Sequence, residues 1–234
     1  MTGSPAYADF FARAAHDLRS PLGVVLHLVQ RLEADFGTSN SSPHQAVIRA
    51  ANREIDRLRA IAERLDLVAE LEAGGLNPTR EPADLAEIVR QTIEHTLALD
   101  ARDGVTVSFA APERPCIVLG DRALLARAIT EVLKNGIVHA NARVQLTIEP
   151  SSEGTALFVD DDGEGFTSPV DESVFERFGR HRAGGSDTPP GTGIGLSLAR
   201  DVMTAHGGRL VVGRSSLSPR GQTRGARLEL RFVP

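Results

Sequence analysis

Between residues 8 and 72 the apolar side chains fall at alternating steps of three and four, and this stripe constrains the chain more than any other feature. In a first segment it runs through Leu18, Leu22, Val25, Val29 and Leu32, and in a second through Ile48, Ala51, Ile55, Leu58, Ala62, Leu65 and Ala69. A heptad pattern of this kind predicts two amphipathic helices. The turn-like GTSNSSP at 37–43 predicts that they form an antiparallel hairpin. Two helices cannot enclose a core, so the hairpin is expected to pair with a second copy in a four-helix bundle. Packing onto the rest of the same chain is the alternative. Pro21, in AAHDLRSPLG, interrupts the first helix. It cannot donate to the Asp17 carbonyl, a defect costing about 3 kcal/mol, so a bend is expected just below His16.

The remainder has a different character. EAGGLNPTREP (72–82) reads as a linker by its glycines and prolines, which divides the chain into a hairpin over 1–73 and a second domain over 82–234. In the second part helical patterns over 83–101, 122–140 and 195–208 alternate with strand patterns over 105–110, 116–120, 143–150, 155–161, 208–216 and 226–233. That order predicts an α/β sandwich, a mixed sheet with helices layered on one face. The overall class is therefore α+β. With 234 residues there is room for two small domains.

Composition excludes several classes. A net charge of −5 gives no electrostatic case for nucleic-acid binding. The single cysteine, Cys116, rules out an internal disulfide framework, and no Cys/His cluster has zinc-ligand spacing. The longest apolar runs, such as GVVLHLV, are too short to span a bilayer, and no basic-then-apolar leader opens the sequence. A cytoplasmic location is expected, with the chain either a short soluble protein or the cytoplasmic portion of a membrane-bound one. Lys134 is the only lysine, which reads as genome composition.

Three stretches carry chemistry. VDDDGEGF (159–166) delivers Asp160, Asp161 and Asp162 to a strand end before two glycines turn the chain. A carboxylate there can accept from a purine amino group or hold a metal, although plain acidic turns share the pattern. GTGIGL (191–196) places Gly191, Gly193 and Gly195 before a helix, where exposed amides and the positive helix end can cradle phosphates. It lacks the G-K-[ST] of a P-loop, and Leu196 stands where a dinucleotide fingerprint would have its last glycine. A mobile hinge is the competing reading. In EVLKNG (131–136), Glu131 and Asn135 lie four apart on one helix face, opposite Val132, Leu133 and Ile137. Hard oxygens so spaced suit magnesium with substrate phosphates; a solvated polar face is the plainer alternative.

The order of these stretches resembles the Bergerat ATP-binding fold shared by gyrase, MutL and histidine kinases. VFERFGR (174–180), between the last two, is similar to the F box of kinase lids, and this resemblance covers 84–234. Upstream, FFARAAHDLRSPLGVV resembles the H box of sensor histidine kinases, so almost the whole chain is similar to their transmitter core. The resemblance implies ATP-dependent autophosphorylation of His16, with transfer to an aspartate on a response-regulator receiver domain, in a homodimer. It implies that Asp17 hydrogen-bonds or deprotonates the His16 imidazole and that Arg19 brings positive charge near the phosphate. Ser20 occupies the position from which related kinases orient water for dephosphorylating their partner, although they more often carry Thr or Asn there.

In the ATP domain the resemblance implies that Asn135 holds magnesium, that Asp161 accepts from the adenine amino group, and that Gly163 and Gly165 let the backbone approach the base. Gly191, Gly193 and Gly195 would wrap the phosphates, with Thr192, Ile194 and Leu196 counted in the same ATP-binding stretch. Phe175, Arg177 and Phe178 belong to the lid, where Arg177, Arg180 and Arg182 are candidate phosphate contacts. His139 stands where many relatives place an aromatic ring near the adenine. Two departures stand out: Glu131 replaces an Asn common in kinases with this H box, and Val138 replaces a basic residue. Glu131 is shared with ATP-hydrolysing members, where it activates water. Two further readings therefore remain, a Bergerat ATPase or non-histidine kinase using Glu131, and a phosphotransfer or scaffold module with a vestigial ATP site.

Overall fold

A computed structural model describes residues 22–28, 51, 54, 55, 58, 76–152, 154–166, 172–175, 194–217 and 225–233. The chain divides into two compact units, Met1–Gly74 and Gly75–Pro234. In the first unit residues 22–28 are helical, as are 51, 54, 55 and 58. Leu22 and Leu26 on that helix are 57% and 58% exposed. His16, Asp17, Arg19, Ser20 and Pro21 lie outside the described residues.

The second unit is built from β1 (Glu81–Asp84), α1 (Leu85–Asp100), β2 (Thr106–Ala110), β3 (Ile117–Gly120), α2 (Arg122–His139), β4 (Arg143–Ser151), β5 (Gly154–Asp161), a 3-10 turn (Glu172–Phe175), α3 (Gly195–Ala205), β6 (Arg209–Arg214) and β7 (Ala226–Phe232). Five strands form one sheet in the order β2-β4-β5-β7-β6, parallel between β2 and β4 and antiparallel elsewhere. The helical and strand patterns of the sequence appear as expected, with one difference. Residues 81 to 84, read as the end of a linker and the start of the first helix, form β1, which pairs antiparallel with β3 as a separate two-stranded sheet. Four residues with a proline carry no usable periodicity; the strand exists because β3 supplies a partner.

Register explains the core. Leu146, Val159, Leu228 and Val212 stand opposite one another across β4, β5, β7 and β6, and Ile148, Leu157, Leu230 and Leu210 make a second row. Directly opposed residues share a face, so both rows point to the side on which α2 packs against β4 and β5, and α3 against β6 and β7. Buried Leu125, Ile129, Leu133, Val202 and Met203 meet them from the helices.

The helix ends follow local chemistry. Asp84 caps α1 by accepting from the Ala86 amide at 3.0 Å, and Asp121 caps α2 by accepting from Ala123 and Leu124 at 3.0 and 3.1 Å. Each such cap contributes about 1 kcal/mol. α3 closes on Gly207 at φ +77°, with Gly207 donating to Thr204 and Gly208 to Met203, the paired bonds of a Schellman stop. This is the Gly-Gly termination legible in the sequence.

Candidate functional site

The strand period of two sorts the three consecutive aspartates. Asp161 follows Leu157 and Val159 onto the helix face, whereas Asp160 points to the other side of the sheet and Asp162 lies beyond the strand. Asp160, 1% exposed, takes two bonds from Arg227, at 2.9 and 2.8 Å, and two more from the Ser216 amide and hydroxyl. Every lone-pair direction is used, so Asp160 ties β5 to β7 and to the chain after β6. Asp162 accepts on one oxygen from the amides of Asn141, Ala142 and Arg143, each at 2.9 Å. Burial alone would raise its pKa, but those amides outweigh it and hold the carboxyl below the ordinary value.

Asp161 differs from both. It is 3% exposed, and its Oδ1 accepts from the Gly163 amide at 2.9 Å and the Ala226 amide at 3.2 Å. Among the described residues Oδ2 takes no hydrogen bond. Burial raises its pKa above the ordinary value; the two amides and His139 oppose that rise without cancelling it, and Asp162 adds to it. Oδ2 is not sealed from solvent, so the unbonded half of this carboxylate is open to an N–H donor from a ligand.

Close approaches assemble the rest. A Cβ on Gly163 would collide with the carbonyl oxygen of His139, so the turn after β5 lies directly on the C-terminal end of α2. Gly165 has φ +79°, and a side chain there would press on the Gly225 carbonyl. Further up α2, a Cβ on Gly195 would come within 2.7 Å of Glu131 Oε2, which places the first residue of α3 against Glu131. His206, at the other end of α3, accepts from the Asp121 amide at 2.9 Å. α3 therefore runs antiparallel to the first half of α2.

Glu131, Asn135 and His139 follow one another at i, i+4 and i+8, a ridge about 12 Å long. Asp161 and Gly163 stand at its His139 end, the start of α3 at its Glu131 end. Asn135, half-buried between them, carries a carboxamide that no described residue hydrogen-bonds. α3 begins at N-cap Ile194 with no side chain capping it, unlike α1 and α2. Its first amides are thus of the kind that bind anions.

The structure removes one alternative reading and changes one expectation. Glu131 does not lie on a solvated polar face: it is 5% exposed, 3.5 Å from Arg127 Nε and packed against α3. The helical wheel is right, but α3 covers a sector that a helix lying on the sheet alone would leave open. Phe175 is a buried member of the hydrophobic core, with the Arg200 guanidinium 5.7 Å from its ring centre. Ile194 is fully buried and Leu196 packs against the core. Arg177, Phe178, Arg180, Arg182, Gly191, Thr192 and Gly193 lie outside the described residues. Sequence reasoning missed Gly225 (φ +87°), whose Cβ would strike the Asp161 carbonyl oxygen and come within 2.8 Å of Ser215 Cβ. A glycine immediately before the last strand was the available signal.

The family of Histidine kinase-, DNA gyrase B-, and HSP90-like ATPases matches residues 120–234, and the His Kinase A (phospho-acceptor) domain matches residues 6–74. The chain belongs to the histidine kinases. This transmitter core is 30% identical over 221 residues to the Probable sensor histidine kinase TcrY of Mycobacterium tuberculosis, covering 88% of this chain and 43% of that protein. It is 31% identical over 212 residues to the Sensor-like histidine kinase SenX3 of the same species, covering 88% of this chain and 50% of that one. The structure of the Mycobacterial sensor histidine kinase MprB matches with a TM-score of 0.56 at 27% identity, covering 66% of this chain and 97% of that one. The transmitter core spans half or less of the length of the curated relatives it matches. Its second unit is an ATP-binding domain of this family, a mixed sheet under one layer of helices. Among the described residues no helix is long and apolar enough to cross a membrane.

Proposed function

We propose that this chain carries out ATP-dependent autophosphorylation on His16 and passes the phosphoryl group to an aspartate of a response-regulator receiver domain. The half-bonded buried carboxylate of Asp161 carries the nucleotide part of this reading. Its unoccupied Oδ2 suits the exocyclic amino group of adenine, and the ridge on α2 leads from there to the uncapped start of α3 at a length matching base to phosphates. Gly191, Thr192 and Gly193 complete the phosphate loop with Gly195, and Arg177 and Phe178 belong to the lid.

Magnesium fits the donor set at Asn135. The carboxamide oxygen is a hard, unengaged ligand, and among the described residues no group of three or more His, Cys, Asp or Glu could hold an ion without the nucleotide. When bound with the phosphates, the ion supplies charge neutralisation for phosphoryl transfer. The protein's own contribution is position: Asp161 orients the base, the start of α3 holds the phosphates, and Asp17 sets the His16 imidazole for attack on the γ-phosphorus, with Arg19 nearby. Ser20 gives the same site a water-orienting hydroxyl for dephosphorylating the regulator. The exposed Leu22, Leu26 and Ile55 support pairing of the hairpin with a second copy, and a cytoplasmic location accords with an ATP-using domain.

Radiolabel from γ-labelled ATP tests the reading. Acid-labile, base-stable label on the protein, lost in His16→Gln, is expected. Acid-stable label would overturn it. Free phosphate without protein label would instead favour an ATPase working through Glu131, a second reading motivated by the burial of that carboxylate beside α3.

A further inference from the structure

Arg102 lies outside every motif of the chain, in the connection between α1 and β2. Its Nη1 donates to three backbone carbonyls at the end of α2: Ile137 at 3.1 Å, Val138 at 2.7 Å and Ala140 at 2.9 Å. These carbonyls are the negative end of the helix, where a cation is most favourable. The side chain is set by its own backbone. Val105 donates to the Arg102 carbonyl at 3.1 Å, and Gly104 at φ +83° closes that turn.

The surrounding hydrogen bonds leave little of this junction free to move. The Ala142 carbonyl accepts from the Thr106 amide, the amides of Asn141, Ala142 and Arg143 go to Asp162, and Asn141 Nδ2 donates to the Asp162 carbonyl at 2.6 Å. Arg102 thus grips α2 from one side and Asp162 grips the following residues from the other. The carbonyl held between them, at His139, is the one against which Gly163 rests. Gly163 in turn donates to Asp161.

We propose that Arg102 is a positioning residue for base recognition: by fixing the last turn of α2 it sets the distance between His139 and the Asp161–Gly163 turn, and so the fit of adenine over other bases. The inference rests on the ATP reading above. Removing the guanidinium frees three carbonyls at the end of α2 and lets that turn drift, which weakens the contact specific to the adenine amino group. GTP, which presents an oxygen at that position, has no such contact to lose. The phosphate end, at Glu131 and Gly195, lies two turns away and is untouched.

The test compares ATP and GTP as substrates and ligands of the full chain. In Arg102→Ala, KM for ATP is expected to rise about tenfold, the scale of one charge-assisted hydrogen bond. kcat at saturating ATP should stay within about twofold and the GTP constants should change little, so that the preference for ATP shrinks by roughly the same factor. Arg102→Lys, which keeps a cation and three donors, should restore most of the preference. An unchanged ATP-to-GTP ratio in folded Arg102→Ala overturns the proposal, as does a fall in kcat alone, the mark of a merely structural role. Should Arg102→Ala fail to fold, the ratio is read in Arg102→Gln, which keeps a donor without the charge; no change there also overturns it. Wild-type protein that binds ATP and GTP equally would overturn the adenine reading and this inference together, whereas a normal wild-type preference unaffected by Arg102 overturns this inference alone.

Discussion

Asp160 and Asp161 are neighbours on one strand and almost equally buried, yet the two faces of the sheet treat them oppositely. On the outer face Asp160 is surrounded by donors, two from Arg227 and two from Ser216. On the helix face Asp161 receives two amides on a single oxygen. Asp160 spends its whole carboxylate on holding the fold, whereas Asp161 keeps one oxygen free of protein donors, the oxygen that the proposed function assigns to the adenine amino group.

The comparison can be broken most sharply at Asp161. Asp161→Asn is expected to weaken ATP binding roughly a hundredfold, because a charged acceptor for the base is replaced by a group that also carries donors. Titration calorimetry reads this directly, and undiminished binding would show that the pocket is misassigned. Stability should move the other way. The raised pKa of Asp161 means that the folded state binds its proton more tightly than the unfolded chain does. Its favourable contribution is present below the unfolded value of 3.8 and is lost as the pH rises through the folded value, so the ionised group burdens the fold at neutral pH. The nucleotide-free Asn variant should therefore melt no lower than wild type near pH 7. For the same reason the fall in ATP affinity of the wild type on acidification should set in at a higher pH than an ordinary aspartate, with its value of 3.8, would give. Asp162 shows the opposite sign: its lowered pKa gives stability above the unfolded value that is lost as the pH falls.

A second test addresses the backbone that both aspartates share. Gly225→Ala forces a Cβ against the Asp161 carbonyl at a φ of +87°, and should cost roughly 3 kcal/mol from backbone strain and overpacking. Denaturant titration measures it. A neutral result would mean that β7 can begin elsewhere without disturbing the strand carrying both carboxylates. The smallest expected effect is at the architectural site. Asp160→Asn keeps some hydrogen bonds and loses the ion pair with a partly exposed Arg227. It should cost roughly 1–2 kcal/mol while leaving ATP affinity unchanged. If ATP affinity fell with it, the two faces would be coupled and the contrast between them would collapse.

How far the sequence led follows from the same residues. The sequence brought three aspartates to a strand end without sorting them, and the family resemblance singled out Asp161, with Gly163 and Gly165 for close backbone approach to the base. The Gly-Gly stop after α3 and the helical face of Glu131 and Asn135 were likewise visible, because each depends on local spacing. Other features depend on partners far along the chain. β1 is a strand only because β3 pairs with it, Glu131 is buried only because α3 lies across it, and Phe175 is core only because Arg200 and α3 receive it. Arg102 had no signal at all: an arginine in a turn gives no hint of the three carbonyls it reaches 35 to 38 residues away.

The ring of His206 offers a view of the site that does not pass through catalysis. Buried, it bonds the Val202 carbonyl through Nδ1 at 2.8 Å and accepts from the Asp121 amide through Nε2. An Nε2 that accepts leaves the proton on Nδ1, so a single tautomer is fixed. The bridge joins the end of α3 to the start of α2, the two helices that frame the ridge. A magnetic resonance signal from that sheltered ring proton, and the rate at which it exchanges with solvent, would report how often the two helices part. Occupancy of the nucleotide could then be followed as a change in their breathing, in a protein that need never turn over.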